Sequence, residues 1–135
     1  MFVVDASVAF AWCFEDEASS AADRVLERLE SEQALAPAIW PLEVANGLRT
    51  AERRGRLGVA DHSRIRELLT SLPIEVDGID LEAALGEVTE LARSLELSAY
   101  DAAYVALAAR RGVALATVDE RLSRACGIAG VPLVG

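Results

Sequence analysis

Short, fully apolar runs alternate along this chain with longer stretches whose apolar residues recur at helical spacing. Met1 to Asp5 reads as a buried strand, and Ala6 to Phe14 is apolar enough to be a helix packed against a sheet. Ser19 to Glu32 is amphipathic, with Ala22, Val25, Leu26 and Leu29 on one face and arginines and glutamates opposite. Gln33 to Ala36 predicts a second strand, stopped by Pro37. Pro41 then opens a helix that carries Glu43 and runs to Arg54, where Gly55 ends it. A helix over Val59 to Leu72 and a strand over Ile74 to Val76 come next. Asp80 to Leu95 is helical by the spacing of Leu81, Leu85, Val88, Leu91 and Ala92, and Ser98 to Arg111 is a nearly all-apolar helix that must be central. Val113 to Thr117, a short helix over Asp119 to Cys126 and a last strand over Val131 to Val134 complete the chain. Strands that alternate with helices and read as unbroken apolar runs indicate a parallel sheet covered on both faces. The expectation is a three-layer α/β/α domain around a central, mainly parallel five-stranded sheet.

Composition narrows this picture. The 135 residues, 53% hydrophobic and 26% charged, fit one folded domain, residues 1–135, without linker or repeat. The N-terminus lacks the basic region of a signal peptide, and no apolar run approaches the roughly 20 residues of a membrane span, so a cytoplasmic protein with no membrane partner is expected. Cys13 and Cys126 match no metal or redox spacing and read as small buried hydrophobes. The single histidine, His62, lies in a polar stretch that reads as a solvated helix face. All 13 basic residues are arginine. The absence of lysine excludes the usual forms of phosphoacceptor receiver domains and haloacid-dehalogenase-type phosphatases, which use a lysine to balance phosphoryl charge.

Against this background four acids stand out, because each interrupts an apolar run: Asp5, Glu43, Asp101 and Asp119. A carboxylate desolvated alone costs several kcal/mol, so it normally has a cation, a metal or backbone N–H donors beside it. Helix capping accounts for Asp5 or Asp119 taken singly, and Thr117 with Glu120 even fits a capping box. Asp101 is harder to place as a cap, since no other charge occurs between Ser98 and Ala109, and its carboxylate is expected to face a cavity. Glu43, Asn46 and Thr50 share a polar stripe beside Val44, Leu48 and Ala51, which suits either a cleft wall or a solvated face. Three of the acids map to the carboxyl edge of the sheet, where ligands gather in such folds, and the helix of Glu43 can return it to the same edge. Four carboxylates with hydroxyls such as Ser7 and Thr117, and no His or Cys, make an all-oxygen set that selects Mg²⁺ or Mn²⁺ over Zn²⁺. Phosphodiester hydrolysis is the chemistry such a site does best.

The residues now in view resemble the PIN domain family and, within it, the VapC-type toxins of toxin–antitoxin pairs. The resemblance is carried by Val3-Val4-Asp5-Ala6-Ser7, Pro41-Leu42-Glu43-Val44-Ala45-Asn46, the run Tyr100-Asp101-Ala102-Ala103-Tyr104, and Thr117-Val118-Asp119 followed by Glu120, Arg121 and Leu122. It implies that Asp5, Glu43, Asp101 and Asp119 hold one or two Mg²⁺ or Mn²⁺ ions, with Asp5 and Asp101 the direct ligands. It also implies supporting hydroxyls at Ser7 and Thr117, an orienting role for Asn46, and an endoribonuclease, often dimeric, that a cognate antitoxin silences. An RNA substrate must be reconciled with a net charge of −9: setting the quartet aside still leaves 18 acids against 13 arginines. Attraction therefore has to be local, and Arg49, Arg53, Arg54 and Arg56 are the densest basic cluster, expected to steer RNA or, alternatively, to be a solvated helix end or an antitoxin contact. A catalytically silent RNA- or protein-binding module and a DNA-directed nuclease are the other readings these residues admit.

Overall fold

The computed structural model describes residues 1–134. Four strands, β1 (Phe2–Val4), β2 (Ala34–Pro37), β3 (Ile74–Asp77) and β4 (Ala114–Ala116), form one parallel sheet in the order β3-β2-β1-β4. Eight helices connect and flank them: α1 (Ala6–Cys13), α2 (Ser20–Arg28), α3 (Trp40–Arg53), α4 (Val59–Ser71), α5 (Leu81–Ala83), α6 (Thr89–Leu95), α7 (Ala99–Arg111) and α8 (Glu120–Ala129). A 3₁₀ turn at Glu15–Glu17 follows α1, and a π-helical segment, Ala84–Val88, joins α5 to α6. There the Thr89 hydroxyl donates to the Ala84 carbonyl at 2.7 Å, satisfying a backbone acceptor at the wide turn. Among the described residues no helix is long and apolar enough to cross a membrane.

The apolar runs behave as their composition dictates. Every residue of β1 and β2 is buried, as expected for central parallel strands covered on both faces. Register sets Val3 beside Leu35 on one side and Leu115 on the other. α7, uncharged between Asp101 and Arg110, packs against β1, β2 and β4, burying Tyr104, Val105, Leu107 and Ala108, while Ala102 and Ala106 cluster with Val88. Its left-handed C-cap falls on Gly112, where a side chain is disfavoured. α1 packs against α2 and α3. It approaches α3 so closely that a Cβ on Gly47 would lie 2.2 Å from Cζ of Phe10.

The expected fifth strand, Val131 to Val134, is reduced to one parallel bridge between Leu115 and Leu133. Leu115 donates to the Pro132 carbonyl and accepts from the Val134 amide, but Pro132 has no N–H to extend the ladder. The sheet is therefore four-stranded, all of it parallel. Chain order runs outward from β1 through β2 to β3, then returns to β4 on the other side of β1. The reversal opens a crevice at the carboxyl ends of β1 and β4.

Replacing Leu35, 1% exposed in the middle of the sheet, by Ala is expected to lower the unfolding free energy by about 2–5 kcal/mol in urea titration. Leu85→Ala, at a position 68% exposed, should change it by about 0.5 kcal/mol or less.

Candidate active site

Asp5 follows directly on β1, at the crevice, and among the described residues is the one charged side chain that is buried, 4% exposed. Three donors compensate its burial. The Ser7 hydroxyl (2.6 Å) and the Val8 amide (3.1 Å) donate to Oδ1, and the Thr117 hydroxyl donates to Oδ2. Asp5 is thus both the N-cap of α1 and the link between β1 and the chain leaving β4. Ser7 and Thr117 each serve twice: their oxygens accept the amides of Val118 and Asp119, both at 3.0 Å. Burial pushes the Asp5 carboxyl up to about 6 despite these donors, and the nearby Asp119 charge adds to the rise.

Asp119 caps α8, its Oδ1 accepting from the amides of Arg121 and Leu122 at 2.8 and 3.2 Å. Its other oxygen makes no hydrogen bond among the described residues. Glu43, in the first turn of α3, is half-buried and accepts a 2.6 Å hydrogen bond from the Tyr104 hydroxyl, so α3 does return it to this edge. Partial burial raises its carboxyl, the Tyr104 bond opposes that, and the Asp101 charge adds to it. Asp101 occupies the first turn of α7, whose N-cap Ser98 accepts from the Asp101 amide at 3.1 Å.

All four acids, with Ser7, line one cavity of about 260 Å³ whose remaining wall includes Phe10, Tyr104 and Leu122. The expectation that each acid is desolvated needs correcting, however. Only Asp5 is. The Asp101 side chain keeps 36% of its exposure and faces Arg121 at 3.9 Å, because the first turn of a helix opening at the sheet edge reaches the cavity mouth rather than the core. Asp119 is exposed.

The donor set is entirely oxygen, which suits Mg²⁺ or Mn²⁺. Among the described residues no three acids stand together in a ligating array. Ligation calls for side-chain rotation, which the part-exposed Asp101 and the spare oxygen of Asp119 allow.

Asn46 is exposed on α3 and does not line the cavity. Of the basic cluster, Arg56 is held by Asp16 (2.9 Å) and Glu17 (3.0 Å) and lies over the Phe14 ring. Arg49 pairs with Glu52 at 3.5 Å, whereas Arg53 and Arg54 have no carboxylate within ion-pair distance among the described residues. Tyr104 is the site residue that sequence reasoning missed: within an apolar helix a tyrosine reads as core, and only its place three residues after Asp101, on the same helical face, signals otherwise. Burial pushes both cysteine thiols up to about 11, which suits packing rather than reactivity.

A carboxyl raised from 3.8 to about 6 by folding binds its proton more tightly in the folded state, so its contribution to stability is full below pH 4 and lost as pH rises towards and through 6. In metal-free buffer Asp5→Asn should therefore gain on the wild type by on the order of 2–3 kcal/mol between pH 4 and 7.5, read as the difference of their melting curves. A constant difference across that range would contradict the assignment.

The chain as a whole has relatives among known proteins. Residues 2–128 match the PIN domain family. The chain is 37% identical over 123 residues to the VapC ribonuclease Mb0985 of Mycobacterium bovis, covering 91% of this chain and 89% of that protein. It is 34% identical over 121 residues to Ribonuclease VapC3 of Pyrobaculum aerophilum, covering 90% and 91% of the two chains. The crystal structure of PAE2754 from Pyrobaculum aerophilum superposes with a TM-score of 0.68 at 27% identity, covering 92% of this chain and 78% of that one. The chain belongs to the PIN domain family.

Proposed function

We propose that this chain is an endoribonuclease, the toxin of a toxin–antitoxin pair, that hydrolyses RNA phosphodiesters using Mg²⁺ or Mn²⁺. The observation that carries this reading is the convergence of Asp5, Glu43, Asp101 and Asp119 on one cavity, in a chain whose relatives are named ribonucleases. In this reading the chain works as a single cytoplasmic domain, dimerises, and is silenced by a cognate antitoxin.

Each side chain has a distinct task. Asp5 and Asp101 would be the direct metal ligands, and Asp119 and Glu43 would complete the set. Ser7, Thr117 and the Val8 amide hold both oxygens of Asp5, so it presents a fixed carboxylate. Asp119 is fixed as a helix cap, with one oxygen free to turn inward. Glu43, half-buried beside the charge of Asp101, would have to give up its proton to join the set, and Tyr104 holds one of its oxygens. A divalent ion bound there supplies an activated water and stabilises the charge growing on the phosphoryl and leaving oxygens. Arg53 and Arg54 are the arginines of the cluster free to attract the RNA backbone, with Arg49 and Arg56 contributing less because carboxylates already pair with them.

Asp101→Asn should abolish metal-dependent cleavage of total RNA without lowering the melting temperature. In the wild type, Mg²⁺ at ten times its dissociation constant should stabilise the fold by about 1.4 kcal/mol, a rise in melting temperature of about 3–5 °C. Cleavage retained in the Asp101 variant would refute the assignment. Cleavage of DNA but not RNA would move the activity to the other nucleic acid, and no cleavage of either would favour a silent binding module.

Tyr104→Phe removes the hydrogen bond that favours ionised Glu43, so the Glu43 carboxyl should rise further. The acidic limb of the pH–rate profile should move to higher pH, and activity should fall by about 10- to 100-fold. An unmoved limb would show that Tyr104 does not act through Glu43.

A further inference from the structure

Next to the acid-lined cavity, along the groove between α1 and α3, lies a second cavity of about 240 Å³. Phe10 lines both. The second cavity continues over Phe14, Gly47, Thr50 and Ala51 to Arg54 at its outer end. Gly47 follows Glu43 by four residues, so this cavity begins about 6 Å farther along the α3 axis than the acids.

Its walls combine the two features that hold a single-stranded nucleotide: an aromatic surface and an uncommitted cation. Phe10 is half-buried, so part of its ring remains accessible beside both cavities. The bare backbone of Gly47 lets the ring tip reach α3. Phe14 is already covered by Arg56, whose guanidinium carbon lies 4.6 Å from the ring centroid. Glu17, the one acid in the wall, is spent on Arg56 at 3.0 Å. That leaves Phe10 as the stacking surface and Arg54 as the free charge.

We infer that this cavity is a nucleotide subsite: it takes the nucleotide flanking the scissile phosphodiester, with the base against Phe10 and the next phosphate held by Arg54. The inference rests on the ribonuclease reading and adds the substrate's course to it, from the acids over Phe10 towards the C-terminus of α3. Charge complementarity favours RNA here, because in a protein of net charge −9 this groove leads from the acids to one of the two unpaired arginines of the basic cluster.

The test uses the full chain and a fluorescein-labelled pool of randomised single-stranded RNA, with binding read by anisotropy in the Asp101→Asn background and cleavage read separately with Asp101 present. Arg54→Ala should weaken binding and reduce the slope of log affinity against log salt by about 0.7, the share of one phosphate contact on a single strand. Phe10→Leu, which keeps an apolar side chain against Gly47, should weaken binding by roughly 5- to 100-fold with an unchanged salt slope. If both variants bind the pool as the parent does while Asp101-dependent cleavage persists, the subsite is refuted and the ribonuclease reading stands. If Asp101→Asn does not impair cleavage, the ribonuclease reading fails and the subsite with it. Loss of a protein partner's binding in these variants, with RNA binding intact, would also overturn the subsite and assign the groove to that partner.

Discussion

The structure turns on the burial of one carboxylate. Asp5 ends the central strand β1 at the place where strand order reverses, and at 4% exposure it has almost no water to solvate it. A charge so placed is costly unless donors surround it, and the chain meets this with two hydroxyls and an amide from both sides of the crevice. The same bonds tie β1 and α1 to the segment leaving β4, since Ser7 also accepts from Val118 and Thr117 from Asp119. What offsets the burial therefore also positions the second acid. Even so the Asp5 carboxyl remains raised, so the compensation is incomplete and the folded chain holds a proton there more readily than a solvated carboxyl would.

Charge also decides how so acidic a protein approaches RNA. A formal charge of −9 repels phosphates at long range, and much of the basic complement is committed internally: Arg56 to Asp16 and Glu17, Arg110 to Asp77 and Glu87, Arg28 to Glu32. What attraction there is comes from few groups at short range, screened less than a diffuse field would be because it acts within a groove. In the proposed mechanism the divalent cation at the acids and the uncommitted arginines at the C-terminal end of α3 divide the work, one at the reacting phosphate and the other along the strand.

Much of this was legible in the sequence because parallel-sheet chemistry is blunt. Unbroken apolar runs such as Phe2-Val3-Val4 become buried strands, and a nearly uncharged helix such as α7 becomes central. Asp5 and Asp119 read as caps or as site residues, and in the structure both are caps that line the cavity. The failures share a cause, which is that long-range partners leave no local mark. Pro132 sits within an apolar run and cuts the last strand to a bridge only because its neighbour needs an N–H there. Arg56 looks like the tip of a basic cluster but is claimed by Asp16 and Glu17, distant in sequence. Asp101 was expected to face a cavity and does, but from its mouth, because a residue in the first turn of a buried helix reaches the open edge. The hydrogen bond from Tyr104 to Glu43 joins residues on α7 and α3 that nothing in their own neighbourhoods connects.

The central claim is that four acids around one cavity form a single cation site whose members are coupled to protons. It is tested most directly by calorimetric titration of Mn²⁺ into the full chain at pH 6, in two buffers of different ionisation enthalpy. Near that pH the Asp5 carboxyl is about half protonated and Glu43 is raised, so binding should expel protons and the observed heat should depend on the buffer. A saturable isotherm with net proton release, lost in Asp5→Asn, is the result expected. The absence of binding at millimolar Mn²⁺, or binding with no proton release that persists in that variant, would contradict the account.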